Sequence, residues 1–285
     1  MKQAGEPDLK TWVGREEVRE DIVTPAHALG AAALFDRPDA QLHPGDPLPR
    51  GWHWFYFNPA APQSALGPDG HPRRGGFLPP VPLPRRMWAS GSLRFHGPLR
   101  IGTAATRRSR VAAVEEKDGR SGKLVFVTVH HAITDPARLV VEEEQQLVYR
   151  EAPKARTPTR ADDPAPTDFE WSETFTPDPI TLFRFSALTF NGHRIHYDHP
   201  YATGVEGYHG LVVHAPLTAL LVLQAAERRV RRKPRAFQFQ SVDPLFSGEP
   251  ITLGGRTRPD GKATEGWAAG PTGMIAMKAT VEWGD

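Results

Sequence analysis

Apolar residues fall in runs along this chain, and the period of the runs changes. TPAHALGAAALFD (24–36) is mostly small and apolar, with Thr24 placed as an N-cap and Pro25 at the first helical position, and predicts a buried helix. WHWFYF (52–57) is aromatic and predicts a strand. From Met87 to Asp135 three strand-like runs follow, with DGRSG (118–122) as a hairpin turn between VAAVEEK and KLVFVTVHH. RLVVEEEQQLVYR (138–150) predicts a fourth strand. The longest apolar stretch is LVVHAPLTALLVLQAA (211–226), and from Pro216 to about Arg229 it predicts a buried helix. RAFQFQSVDPLFSGEPITLGGRTR then predicts strand, turn and strand, and GMIAMKATVEW predicts a closing strand.

Polar, Pro- and Gly-rich segments separate these runs. Residues 58–86 form a long loop of the kind that serves as a lid, a binding segment or a plain linker. APKARTPTRADDPAPTD (152–168) is the clearest linker, which divides the chain into 1–151 and 169–285. A short repeat relates the halves: Phe95, Pro98-Leu99 and Gly102 recur as Phe239, Pro244-Leu245 and Gly248. In both halves a buried helix precedes antiparallel strands. Two such units side by side make an α+β fold, each sheet burying one face on its own helix. Pairing the two sheets at an edge would hide that edge.

Composition removes several classes. With no Cys, disulfides, thiolate metal sites and Cys nucleophiles are excluded. No run approaches the roughly 18–20 apolar residues that span a bilayer, and the N-terminus lacks the apolar core of a secretory signal, so a cytoplasmic protein is expected. A net charge of +2 argues for no nucleic-acid partner. The basic runs RRSR (107–110) and ERRVRRKPR (227–235) read either as solvated cations, the latter at a helix end, or as a site for the phosphates of a nucleotide-bearing carrier.

The candidate chemistry sits in LTFNGHRIHYDHPYA (188–202), which gathers Asn191, His193, His196, Asp198 and His199. His193, His196 and Asp198 have a metal-like spacing without a further clear ligand, so no metal is assigned. Exposed loop histidines are a second reading. Acid–base chemistry is the third, and the downstream segment favours it. GYHGLVVHAPL leads into the apolar helix, and the free N–H of Ala215 at a helix N-terminus suits a developing oxyanion.

HRIHYD and VVHAPL resemble the NPIHxD and His-Gly motifs of the MaoC-like, R-specific enoyl-CoA hydratases. WHWFYF, GPDGHPRRGGFLPPVPLPRRMW and FRFSALTFNGHRIHYD are similar to the double hot-dog members, the mesaconyl-C4-CoA (3-methylfumaryl-CoA) hydratases and mitochondrial-type 3-hydroxyacyl-thioester dehydratases. The resemblance spans about Trp12 to Trp283. It implies a double hot-dog, two antiparallel sheets each wrapped around a central helix, with the catalytic site in the second half. The implied activity is reversible hydration of an α,β-unsaturated acyl-CoA or acyl-carrier thioester, foremost mesaconyl-C4-CoA to citramalyl-CoA. Dehydration in fatty acid synthesis, a non-catalytic thioester-binding module and a thioesterase are the alternatives. No cofactor and no metal are implied. His196 takes the place of the family's catalytic His, whereas Asn191 stands where the family has Asp, His193 where it has Asn, and Arg194 where it has Pro. Asn191 has no proton to exchange near neutrality, so His193 or Asp198 becomes the candidate acid, and Asp198 alternatively fixes the His196 tautomer. Ala215 is the oxyanion donor. Arg194, Tyr201, Gly210, His214, Arg231 and Arg232 are the substrate-binding candidates. Arg73, Arg74, Arg85, Arg86 and Arg184 are further cations for a second carboxylate. Such a chain carries its own pseudo-dimer, so a monomer and a homodimer both fit.

Overall fold

A computed structural model of the protein describes residues 7–38, 40, 42–119, 122–151 and 163–284. Its strands are β1 (Glu16–Ile22), β2 (Arg85–Phe95), β3 (Ala104–Gly119), β4 (Gly122–Thr134), β5 (Leu139–Arg150), β6 (Trp171–Phe175), β7 (Pro234–Ser241), β8 (Ile251–Thr257), β9 (Ala263–Ala269) and β10 (Ile275–Trp283). They form one antiparallel sheet in the order β1-β3-β4-β5-β2-β7-β10-β9-β8-β6. The order is a palindrome: each strand of the first half has its counterpart five strands later. The halves join where Ser90–Arg94 of β2 pairs with Ala236–Gln240 of β7, so the edge pairing expected from sequence is present.

The short repeat is structural. Gly102 and Gly248 share a left-handed φ of 84°, which a residue with a Cβ rarely adopts. Their N–H groups donate to Val23 O and Pro177 O, each at 2.7 Å. Leu48 N–H to Leu99 O matches Val213 N–H to Leu245 O, both 2.8 Å. Helices α1 (Pro25–Leu34) and α2 (Pro179–Leu188) follow Val23 and Pro177 in turn and pack on each other. Gly30 makes room for Leu188 at that contact.

The remaining helices are α3 (His199–Gly204) and α4 (Ala215–Val230). α4 is the central helix. Leu217, Ala219, Leu220, Val222, Leu223, Ala225 and Ala226 are fully buried, and the helix packs on β7–β10 and on β2. Gly266 on β9 leaves room for Val222. Pro216 stands at the helix start, and Arg231 closes it with a left-handed φ of 57°.

Residues 52–57, expected as a strand, instead form one turn of 3-10 helix at Trp52–Phe55. Trp52, Phe55, Tyr56 and Phe57 are all within 2% of full burial, which a strand with one solvent face cannot provide. This turn follows the Leu48–Leu99 pair as α4 follows Val213–Leu245, and a Cβ on Gly51 would lie 2.6 Å from Leu220 Cδ2. The first half thus keeps one turn of a central helix and leans on α4. The helix over 24–36 is present as α1, although Thr24 makes no side-chain cap bond and its carbonyl accepts from Tyr56 OH. β3 and β4 pair to Gly119–Gly122, with Arg120 and Ser121 of the expected hairpin turn outside the described residues. We infer that the two halves divide within 152–168, of which 152–162 lie outside the described residues. No helix among the described residues is long and apolar enough to cross a membrane.

Candidate active site

The polar run begins where α2 ends. Phe190 turns the chain with a φ of 48°. Asn191 N–H donates to Ser186 O, and its side-chain oxygen accepts from His193 N–H at 3.0 Å, a local Asx turn. One 3-10 turn, Arg194–His196, follows. Asp198 then caps α3, accepting from Tyr201 N–H, and takes the Arg194 fork at 2.9 and 2.7 Å. The Arg194 bond, with the α3 cap bond, holds the Asp198 carboxyl below its usual range.

His196 is buried, and its Nδ1–H donates to Val212 O at 2.7 Å. A carbonyl only accepts, so Nδ1 carries the proton and Nε2 is left with its lone pair. The backbone, and not Asp198, fixes this tautomer. His196 stacks on His214 with ring centres 3.6 Å apart and an interplanar angle of 20°. His214 sits at the N-cap of α4 with Nε2 2.9 Å from Ser186 Oγ, while its buried Nδ1 has no partner among the described residues. Ala215 follows as the first helical residue, where an N–H has no acceptor inside the helix. His193 meets His196 edge-on at 5.4 Å. Burial pushes the His196 imidazole down to about 4, against the favourable bond to Val212, and burial likewise holds His193 and His214 well below the usual range. These rings are therefore neutral at pH 7.

The first half completes the site. Its Pro- and Gly-rich loop docks on the polar run: Arg194 N–H donates to Asp69 O at 2.9 Å, and Arg194 Nη1 to Pro68 O at 3.0 Å. Gly70, with a φ of 86°, lies so close to Gly192 that any Cβ would strike its carbonyl oxygen. His71 comes within 4.1 Å of His193, centre to centre. Asp69 accepts from His71 Nδ1 at 3.1 Å and from its backbone N–H at 3.0 Å. Burial and the Arg86 charge push His71 down to about 4, against Asp69. Burial pushes the Asp69 carboxyl up, but the His71 bonds outweigh it and hold it well below the usual range. Asp69, His71 and His193 place ligand atoms within 4.8 Å of one another. Asp69 already binds His71 twice, and we read the group as a hydrogen-bonded acid–base cluster.

A cavity of about 1120 Å³ runs across the two halves, lined by Asn191, His193, Arg194, His196, His214 and Ala215 from the second and by His71 and Arg86 from the first. Its wall also includes Trp54 and Glu143, part of a buried polar network in which Glu143 accepts from Trp54 Nε1 at 3.0 Å and pairs with His53 at 3.1 Å. Tyr201, Gly210 and Asp198 do not line the cavity. Tyr201 packs against Ile195, Val212 and Phe246, and Gly210 lies beside Phe246. Arg231 and Arg232 sit at the far end of α4, whose 16 residues span about 24 Å. Arg232 is committed to the Gly261 and Gly284 carbonyls. Arg85 pairs with Glu206 at 3.0 Å, Arg74 serves backbone carbonyls at Val81 and Pro84, and Arg184 is not a cavity residue. Asp69 and His71 carried no role in the sequence reading. Their signal was DGHP inside a loop too long to be a simple connection.

One long helix held in an antiparallel sheet, with imidazoles at its start, defines a hot-dog protein of the hydratase–dehydratase class. The chain is similar to a solved MaoC-like dehydratase, with a TM-score of 0.71 and 15% identity, covering 96% of this chain and 99% of that one. It is also similar to a Mycobacterium tuberculosis protein described as a double hotdog, with a TM-score of 0.56 and 14% identity over 95% and 96% of the two chains. The hydroxyacyl-thioester dehydratase type 2 family matches residues 51–247, and the chain belongs to that family. It is 50% identical over 284 residues to the mesaconyl-C(4)-CoA hydratase of Chloroflexus aurantiacus, covering 97% of this chain and 98% of the relative.

Proposed function

We propose that the protein is a hydro-lyase that adds water reversibly to an α,β-unsaturated acyl-CoA thioester, with mesaconyl-C4-CoA to citramalyl-CoA as its reaction. Half-identity to a mesaconyl-C(4)-CoA hydratase along nearly the whole of both chains supports the substrate. One observation carries the chemistry: His196, in the cavity wall, has its proton fixed on Nδ1, which leaves Nε2 as a base.

His196 Nε2 takes a proton from the water whose oxygen attacks the β-carbon. Charge then develops on the thioester oxygen, and the Ala215 N–H with the α4 dipole stabilises it. Losing one such donor typically costs about 2.7–4 kcal/mol of activation free energy. Asn191 uses its oxygen for the Asx turn, which leaves its amide N–H groups to orient the water. No organic cofactor enters these steps. A cytoplasmic site of action fits a CoA thioester. Dehydration of 3-hydroxyacyl thioesters is the second reading, favoured by the family match.

His196→Ala tests the assignment. Turnover should fall by about 10²–10⁴-fold, the usual worth of a positioned base, with the fold retained by circular dichroism. A folded variant that turns over at the wild-type rate would remove His196 from the mechanism.

A further inference from the structure

Reversible hydration moves two protons, one at the hydroxyl oxygen and one at the α-carbon. His196 accounts for the first. Asn191 cannot exchange the second, and Asp198 is committed to Arg194 and the α3 cap. Asp243 also borders the cavity, whereas His71 packs directly on His193, ring centres 4.1 Å apart. We propose, building on the hydratase reading, that His71 from the first half is the second catalytic residue and exchanges the α-proton, with Asp69 as its positioning residue.

The geometry is built for this. Asp69 is a pure acceptor, so its bond places the His71 proton on Nδ1 and leaves Nε2 to exchange. A carboxylate orients the histidine of serine hydrolases in the same way. The loop cannot drift: Arg194 N–H holds the Asp69 carbonyl, and Gly70 lies against Gly192. The rings form a ladder, His71 to His193 at 4.1 Å, His193 to His196 at 5.4 Å and His196 to His214 at 3.6 Å.

Between them His71 and His196 hold one exchangeable proton. In hydration it begins on His71 Nε2. His196 Nε2 takes a proton from water, the hydroxyl oxygen bonds to the β-carbon, and the π pair moves to the α-carbon and thioester oxygen. His71 Nε2 then gives its proton to the α-carbon as the thioester carbonyl re-forms. The proton left on His196 is released to solvent, and His71 takes one back from solvent before the next turnover. One water is consumed and the enzyme is unchanged.

The groups whose charges reach His71 are Asp69, Arg74, Arg86, His193 and His196. Arg86 is the one that substrate can alter. It lines the cavity, and its guanidinium has no hydrogen-bond or ion-pair partner among the described residues. A dicarboxylic acyl chain whose free carboxylate meets Arg86 cancels its repulsion of His71 and favours the protonated ring. Such a substrate thus removes the second of the two main causes that depress His71, burial being the first.

Succinyl-CoA in D₂O separates the two protons, because it has α-protons and a distal carboxylate but no double bond or β-hydroxyl. Wild type should exchange the α-proton, and His71→Gln should exchange at least about 100-fold more slowly. His71→Gln exchanging at the wild-type rate overturns the proposal. Asp69→Asn, which keeps the loop's backbone bonds, should lower kcat without raising KM and move the alkaline limb of the hydration profile to lower pH; an unmoved limb counts against the positioning role. Wild-type activity lost to a chelator and restored by a divalent cation overturns the proposal in favour of a metal at Asp69, His71 and His193. A wild-type protein that hydrates no enoyl thioester is a different failure, that of the underlying reading.

Discussion

His196 owes its reactive form to Val212 O, a backbone acceptor that no substitution at Val212 removes. The docking of the loops depends instead on one missing atom. Gly70→Ala would drive a methyl group into Gly192 O at a φ of 86°, where a Cβ is already strained. The two loops must then part, and His71 leaves His193. Activity should fall at least about tenfold, since small misplacements at a site are costly. The global fold should survive, because neither loop belongs to the core of α4 and the sheet. Turnover measured beside a thermal melt checks this, and a fully active, normally melting variant would show that the contact is dispensable.

At the scale of elements, α4 bears the core and orients the site. Leu220 is fully buried and packs beside Gly51 of the first half, so Leu220→Ala should cost about 2–5 kcal/mol in a urea titration. At the other end of the helix, replacing Arg231 and Arg232 together should leave KM unchanged. The sequence suggested a phosphate site there, but Arg232 ties the helix end to Gly261 and Gly284. A raised KM would restore the phosphate reading. The elements legible in the sequence are those with a clear apolar period. In β4, Val125, Val127, Val129, His131 and Ile133 alternate inward, and α4 reads as one apolar run. β1 was missed because EEVREDI has no buried residue and so leaves no hydrophobic trace. β9 was missed because ATEGWAA is built largely of small residues. His196, His193, Asn191 and Ala215 were legible because one short stretch and one helix start carry them. Asp69 and His71 were not, because they reach the site from more than 100 residues away in sequence, through a docking that local spacing does not encode.

For the whole molecule, the palindromic sheet places the cavity between halves, and with it an unusual number of buried imidazoles. His71, His131, His193, His196 and His214 all lie below their ordinary 6.5, chiefly through burial. The unfolded chain binds protons at these positions below about pH 6.5, whereas the fold resists them. Their contribution is therefore present above pH 6.5 and is lost as pH falls toward 4, at up to about 1.36 kcal/mol per unit for each group. Glu227 works the other way. Burial raises it to about 7, so its term favours the fold below about 4.5 and fades as pH rises to 7. With five groups opposing one, the urea midpoint should drop between pH 7.5 and pH 5. A midpoint that rises on acidification would contradict the burial of the ladder.

The central claim is a hydration site shared by two halves and tuned to a dicarboxylic acyl thioester. Its most direct test follows the loss of enoyl-thioester absorbance with mesaconyl-C4-CoA and with crotonyl-CoA, beside His196→Ala. Fast loss with mesaconyl-C4-CoA, much slower loss with crotonyl-CoA and near-abolition in the variant are predicted. Fast hydration of crotonyl-CoA with slow hydration of mesaconyl-C4-CoA would contradict the substrate and move the protein toward fatty-acyl dehydration. No loss with either would contradict the enzyme itself.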